Sequence, residues 1–307
     1  MIQDELIELE KKIRQCNPWE KVAQEIGDMD CFIENDKDYH GNYRFVCEKD
    51  QAVIKAFNAK QKAESLYTYK LNIPPYPFSG NLLTAKIVIL SLNPGYIEYV
   101  NHDTADILCE NSKRTFCKAN RRWLRLDGNP MFDAESRKEE LALGTDYWKR
   151  RLKALADACN KQSGKPMYDE FSVFEDVAIM QYIGYASCKY AETVAIRKLA
   201  EDSINEDGEY SSFGFLRLLL QYLSKKDDVI LIFLVLRNKK NWAKLFNSKE
   251  YQGVNATEEG LYKLLKDQGH IIDERKSDMA QAISENNLEN KGFQKLVDHL
   301  MKIHAKD

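Results

Sequence analysis

The side chains best suited to chemistry stand in one short turn, Asn93-Pro94-Gly95-Tyr96. The Asn93 amide can donate and accept hydrogen bonds, so it can hold a water molecule or the polar edge of a ligand. Pro94 and Gly95 favour a tight turn whose backbone N–H groups can face a bound molecule, and Tyr96 offers a flat apolar ring for lining a pocket. Because Asn-Pro-Gly is also an ordinary turn sequence, its neighbours decide whether it marks a site.

Basic side chains are the second candidate feature. The chain has 45 Lys and Arg against 48 Asp and Glu, so a protein dominated by nucleic-acid electrostatics is not expected. Local clusters still predict phosphate contacts, and Phe116 and Trp123 within one of them suit stacking on unpaired bases. A solvated face balanced by the acidic residues 133–140 is the alternative reading. The clusters are Lys113, Arg114, Lys118, Arg121, Arg122 and Arg125; Lys149, Arg150, Arg151 and Lys153; and Arg237, Lys239 and Lys240.

Several familiar kinds of site have no motif in this chain. Neither GxGxxG nor GxxxxGK[ST] follows a predicted strand, so the sequence does not indicate a phosphate-binding loop for a nucleotide. No GxSxG elbow presents a nucleophile. The seven cysteines contain no CxxC pair, which argues against a zinc ribbon, an iron–sulfur cluster and a disulfide framework. We therefore predict no metal, no cofactor and a reducing compartment.

The turn follows a run of residues typical of a buried β-strand. Residues 86–92, KIVILSL, are rich in β-branched side chains, as expected for a strand covered on both faces. Further strands are predicted at residues 178–182, 228–236 and 269–273, and helices at residues 147–160, 211–223, 257–267 and 293–304. Alternating strands and helices predict an α/β protein with a mostly parallel sheet. Ligands of such sheets bind at the carboxyl edge, where residues 93–96 fall.

The amino-terminal part of the chain has a different character. Residues 1–70 are predicted to form helices around a loop, and the prolines at positions 74, 75 and 77 end that segment. We predict a helical extension over residues 1–70, packed on an α/β domain over residues 71–307. No run reaches the roughly 20 apolar residues of a membrane span, and residues 1–15 lack the apolar segment of a signal peptide. A cytoplasmic protein without membrane contact is expected.

Residues 77–96, PFSGNLLTAKIVILSLNPGY, resemble the first strand and water-positioning loop of the uracil-DNA glycosylase superfamily. The likeness is to the branch with an Asn-Pro-Gly turn, as in the mismatch-specific and single-strand-selective enzymes. It implies a three-layer α/β/α fold with a four-stranded, mostly parallel sheet, and a pocket at the strand ends that accepts a flipped base. It also implies that Asn93 positions the water that attacks the sugar, while Tyr96 shapes the catalytic pocket.

The resemblance continues more faintly at residues 177–187, VAIMQYIGYAS. The family has its second strand there, with a residue, usually Asn, that reads the edge of the base. Gln181 offers the same donor and acceptor on a longer arm. On this interpretation Phe78 or Tyr182 would stack on the base.

The chain departs from the family after the predicted fourth strand. The family closes its site with a His-Pro-Ser or Asn-Pro-Ser loop, whose first residue stabilises charge on the departing base. This chain has neither sequence. Nearby His270 begins the strand and is predicted to be structural, whereas phosphate contacts are predicted from Arg275, Lys276 and Ser277, together with Arg237, Lys239 and Lys240.

Two functions of different classes follow from these features. The first is a DNA glycosylase-like hydrolase of DNA repair that flips a deaminated or modified base and cleaves its N-glycosidic bond. The second is a non-catalytic protein on the same fold that binds nucleic acid or a base, since the His-Pro-Ser motif is missing. The partner is accordingly DNA, single-stranded or duplex, or a free nucleobase or nucleoside. A small-molecule enzyme acting on a nucleoside or nucleotide is the third alternative.

Overall fold

A computed structural model of the chain describes residues 2–26, 41–62, 65–94, 110–128, 130–132, 145–169, 171–187, 189–190, 196, 210–234, 241–242, 245, 260–272, 275–276, 282–289 and 291–305. Within them the helices are α1 (Ile2–Gln15), α2 (Trp19–Glu25), α3 (Gln51–Ala59), α4 (Glu110–Arg125), α5 (Thr145–Ser163), α6 (Ser212–Ser224), α7 (Gly260–Asp267) and α8 (Gly292–His304). The strands are β1 (Phe78–Ser79), β2 (Ile87–Ser91), β3 (Val177–Gln181), β4 (Ile230–Phe233) and β5 (Ile271–Ile272). The α/β class is therefore confirmed. None of these helices is both long enough and apolar enough to cross a membrane.

The strands form one sheet in the order β1-β3-β2-β4-β5. β4 pairs in parallel with both β2 and β5. β3 also runs parallel to β2, because Ile87 N–H donates to Asp176 O at 3.0 Å at one end and Ile183 N–H donates to Leu92 O at 2.7 Å at the other. Since β2 to β5 overlap the four predicted strands, the mostly parallel sheet is confirmed.

The predicted number of strands is wrong, because β1 adds a fifth strand at the edge of the sheet. β1 runs antiparallel to β3: Gln181 N–H donates to Pro77 O at 2.7 Å, and Tyr76 N–H donates to Gly184 O at 2.6 Å. A two-residue strand gives no periodic signal in a sequence. Pro77, which cannot donate to a ladder, is tolerated at such an edge.

One face of the sheet supplies the best-defined hydrophobic core. Alternate residues of the parallel strands point to the same face, and here that face packs against α5 and α8. Full burial of each aliphatic side chain contributes about 1.5–3 kcal/mol, so this cluster dominates local stability. Its members include Ile87, Ile89, Val177, Ile179, Ile230 and Ile232 from the strands, Leu152 and Leu155 from α5, and Leu296, Val297 and Leu300 from α8.

Contacts between residues divide the chain into two compact units. The first comprises Met1–Ser79, Leu92–Asp127 and Gln181–Tyr222. The second comprises Gly80–Ser91, Gly128–Met180 and Leu223–Asp307, and contains the cluster described above. The separate helical extension over residues 1–70 stays a prediction.

Two histidines of α8 contact the amino ends of strands in the second unit. His299 Nε2 lies 3.2 Å from both Lys86 O, just before β2, and Asp228 O, just before β4. Burial lowers the pKa of His299, and we assign its N–H to Nε2 because both neighbours are carbonyl oxygens. His304 Nε2 lies 2.7 Å from Oδ2 of Asp176, the residue before β3. Both histidines thus connect the last helix to the sheet.

The described cysteines differ in their redox state. Cys16, Cys47 and Cys159 are free thiols, whereas Cys117 in α4 is disulfide-bonded. The sequence did not predict this bond, because the cysteine spacing argued against a disulfide framework.

Gly80 occupies a position where a side chain has no room. Its φ is +83°, and a Cβ there would lie 2.8 Å from Val177 O. We expect Gly80→Ala to lower the free energy of unfolding by about 2–4 kcal/mol, because the positive φ alone costs about 1 kcal/mol and the backbone of β3 must also shift. Urea denaturation measures this loss.

Gly164→Ala is the matched control for that measurement. Gly164 also has a positive φ, +68°, but nothing lies within 4 Å of the position of its Cβ. Its substitution should therefore cost only about 1 kcal/mol. Equal losses in the two variants would contradict the steric explanation for Gly80.

Candidate functional site

The candidate site begins where the chain leaves β2, at the carboxyl end of the sheet. Leu92 O accepts a hydrogen bond from Ile183 N–H at 2.7 Å, so the segments leaving β2 and β3 stay together beyond the last paired residues. Asn93 follows immediately and is half-buried. This is the edge at which the sequence predicted a ligand.

The Asn93 amide has a defined orientation. Its Nδ2 donates to Pro94 O at 3.1 Å, Ser187 O at 3.2 Å and Ser187 Oγ at 3.0 Å. Backbone oxygens can only accept, and the Ser187 hydroxyl itself donates to Lys189 O at 2.9 Å, so it accepts from Asn93. No described residue donates to Asn93 Oδ1. Within the described ranges, that oxygen is therefore the atom of the amide left for a water molecule or a ligand.

The loop after β3 that carries Ser187 is held along its length. Tyr76 N–H donates to Gly184 O at 2.6 Å, Lys70 N–H to Ala186 O at 2.9 Å and Ser187 N–H to Pro94 O at 3.3 Å. A Cβ on Gly184 would lie 2.8 Å from Pro77 Cβ, so glycine permits this close approach. Residues 184–187 thus form a rigid support beside Asn93.

A buried polar network supports the same loop from another side. Tyr185 donates its hydroxyl hydrogen to Asp50 Oδ2 at 2.8 Å and accepts from Cys47 N–H at 3.1 Å. Asp50 Oδ1 accepts from Ser212 N–H at 3.2 Å, so the carboxylate also caps α6. Burial raises the pKa of Asp50, and hydrogen bonds from Ser212 and Tyr185 oppose that rise. Sequence reasoning missed this network, because its members are far apart in the chain.

Gln181 is the last residue of β3 and is 5% exposed. Its Oε1 is buried and has no hydrogen-bond partner within the described part of the chain. Leaving a buried acceptor unsatisfied costs about 1–3 kcal/mol. A ligand or water with an N–H or O–H donor would remove that cost, which fits the predicted role of Gln181 in reading the edge of a base.

Phe78 and Tyr182, the predicted stacking residues, are fully buried. The Phe78 ring lies 6.4 Å from that of Trp19 and 6.3 Å from that of Phe215. The Tyr182 ring packs edge-on against Phe213 at 4.9 Å. Both rings are core elements of this arrangement, and neither offers an exposed face to a base.

The predicted phosphate-binding residues separate into three groups. Arg275 is buried, and its Nε donates to Phe233 O at 2.7 Å at the carboxyl end of β4. Lys276 is exposed, and its Nζ donates to Glu285 O at 2.9 Å. The remaining predicted site residues, Tyr96, Arg237, Lys239, Lys240 and Ser277, lie outside the described residues.

The aromatic residues of the first basic cluster pack within the protein. The Phe116 ring stacks on that of Tyr76 at 6.0 Å, and the Trp123 ring meets the same tyrosine edge-on at 5.2 Å. The neighbouring Arg125 pairs with Glu20 at 3.2 Å. On α4 these aromatic rings therefore hold the helix against the loop that precedes β1.

No cluster of three or more His, Cys, Asp and Glu side chains that could hold a metal ion occurs within the ranges the structure describes. Comparison with known proteins gave no match to a protein-family model, a curated protein or a solved structure. The site is thus defined by its own geometry: an oriented amide at the carboxyl edge of an α/β sheet.

Proposed function

We propose that this protein is a glycosylase-type hydrolase that releases a deaminated or modified base from DNA. The observation that carries the proposal is the fixed amide of Asn93, whose Nδ2 is bound by three acceptors and whose Oδ1 is left for a water molecule. The uracil-DNA glycosylase-like, three-layer fold is part of the same proposal. The parallel pairing of β4 with β2 and with β5 supports it, because the resemblance implies a mostly parallel sheet.

In hydrolysis of the N-glycosidic bond, the Asn93 amide needs only to position the attacking water. As the N-glycosidic bond breaks, the base leaves with the bonding electrons, and the water oxygen forms a bond to C1′ of the sugar. The water loses one proton, and the departed base gains one from solvent. Since an amide is not a base, Asn93 would accept a hydrogen bond from the water and direct a lone pair at the sugar. Such a site favours bases that carry negative charge well, as deaminated bases do.

Gln181 supplies the second support for this proposal. Its unsatisfied Oε1 stands at the end of the strand adjacent to β2. A lactam N–H, as in uracil or another deaminated base, is a matching donor. A hydrogen bond between Gln181 and the base would also stabilise the flipped state and help offset the few kcal/mol that unstacking costs.

A non-catalytic base- or nucleic-acid-binding protein is the second candidate. The segment after β5 supports this candidate, because the chain has no His-Pro-Ser sequence there. In the same segment, the Arg275 guanidinium donates a hydrogen bond to Phe233 O. The nearby His270 contacts Val229 O through Nδ1 at 3.1 Å, just before β4. His270 therefore contacts the amino end of β4, the end opposite to the one that Arg275 contacts.

One experiment separates the two candidates. The protein is incubated with end-labelled single-stranded and duplex oligonucleotides that contain one uracil, and abasic sites are then cleaved with alkali. We expect strand cleavage at the uracil and none in the matched thymine oligonucleotide. A gel shift that weakens with salt but yields no cleavage would establish the binding protein instead.

A further inference from the structure

We infer that Ser187 is a positioning residue, which fixes the orientation of the Asn93 amide; this inference rests on the proposed function. Nothing in its sequence context marks Ser187, which lies in the loop after β3. Its role comes from the hydrogen bonds that the folded chain gives it.

The direction of each hydrogen bond at Ser187 is determined. The hydroxyl hydrogen goes to Lys189 O at 2.9 Å, so only oxygen lone pairs face Asn93. Both the hydroxyl and the main-chain oxygen of Ser187 therefore select the NH₂ side of the amide. If the amide were turned by 180°, its Oδ1 would face oxygen atoms with no intervening hydrogen. The turned amide would also present two donors, rather than an acceptor, to the water.

Burial of Ser187 strengthens its preference for one orientation of the Asn93 amide. Ser187 is fully buried, so no water competes for its hydroxyl. The loop that carries it is bound at Gly184 O, Ala186 O and Ser187 N, and the Tyr185 hydroxyl is held by the buried carboxylate of Asp50. The acceptor oxygens of Ser187 are accordingly preorganised, which is what the orientation of a catalytic water requires.

The test combines kinetics with a spectroscopic signature. In single-turnover assays on the uracil oligonucleotide, Ser187→Ala should lower the rate of base release about tenfold, the equivalent of one hydrogen bond. The protein concentration that gives half of the maximal rate should stay unchanged. Ser187→Thr, which retains the hydroxyl, should restore most of the rate. The control Ser163→Ala removes a hydroxyl that lies within hydrogen-bond distance of Asn160 O and Lys165 O in the second unit, and should leave the rate unchanged.

The signature is the side-chain NH₂ pair of Asn93 in ¹⁵N–¹H spectra, identified by its loss in Asn93→Ala. In Ser187→Ala we expect this pair to shift and to exchange faster with water, and in Ser163→Ala to stay in place. Unchanged Asn93 NH₂ signals in Ser187→Ala would overturn the inference. Shifted signals together with an unchanged rate of base release would overturn it as well. If the wild-type protein releases no base, the proposed function fails, and the NH₂ signals alone decide whether Ser187 orients Asn93. Should Ser187→Ala not fold, Ser187→Cys, with its weak acceptor, takes its place in both measurements.

Discussion

Replacing Asn93 with alanine should lower the rate of base release by about a hundredfold to a thousandfold, while affinity for the oligonucleotide stays within about twofold. This magnitude is typical for the loss of one preorganised polar group at a reacting centre. In the proposed reaction the amide contacts the attacking water rather than the DNA backbone, so we expect no change in binding. The substitution also leaves Ser187 Oγ and Ser187 O without the Asn93 donor, whereas Pro94 O keeps the hydrogen bond from Ser187 N–H. This loss should cost about 1–2 kcal/mol of stability.

Single-turnover cleavage and gel shifts on the same oligonucleotides measure the two effects. Asn286→Ala is the matched control, because Asn286 is exposed and lies in the second unit; it should keep the wild-type rate. Both variants are assayed well below their melting temperatures. Equal rates for Asn93→Ala and the wild type would remove Asn93 from the reaction, and with it the proposed hydrolase.

Arg275→Ala should lower the free energy of unfolding by about 3–4 kcal/mol. The buried guanidinium donates to Phe233 O at 2.7 Å and to Ala282 O at 3.3 Å, and alanine would leave these oxygens without that donor. The long apolar stem is lost as well. Burial also lowers the pKa of Arg275 to about 10, because desolvation disfavours the charged form.

Two further variants separate these causes. Arg275→Met keeps most of the stem and removes the buried charge, so we expect it to recover part of the loss. Lys276→Ala, at an exposed neighbour, should change the free energy of unfolding by less than about 0.5 kcal/mol. Urea unfolding gives all three values. If Arg275→Ala kept wild-type stability but reduced the salt dependence of DNA binding, Arg275 would be a phosphate contact, as the sequence predicted.

The sheet was predictable because its strands carry a strong local signal. β2 lies within a run of β-branched and aliphatic residues, and each of its residues is buried, as a strand covered on both faces requires. α4 was not predicted, because basic and polar residues dominate its sequence. Its buried side chains, among them Cys117, Ala119 and Trp123, are interspersed with basic and polar residues, so single-sequence reasoning overlooked the helix.

Of the candidate site, the sequence predicted Asn93 and Gln181 but not the residues that support them. Asn93 could be identified because the strand and the turn beside it are contiguous in sequence. Ser187 and Asp50 could not, since their roles depend on contacts between distant segments. Tyr182 was predicted to stack on a base but is buried in the core. An aromatic residue next to a strand suits either role, and only the tertiary structure distinguishes them.

The order of the strands has a consequence for synthesis of the protein on the ribosome. Ile87 of β2 lies opposite Ile230 of β4, and α8, which covers the same face, begins only at Gly292. A nascent chain therefore carries an apolar strand whose edge stays open until β4 has been made, and such edges pair readily with other chains. Pairing across so long a separation is also slow. Newly made protein should accordingly depend on holding chaperones until α8 has left the exit tunnel.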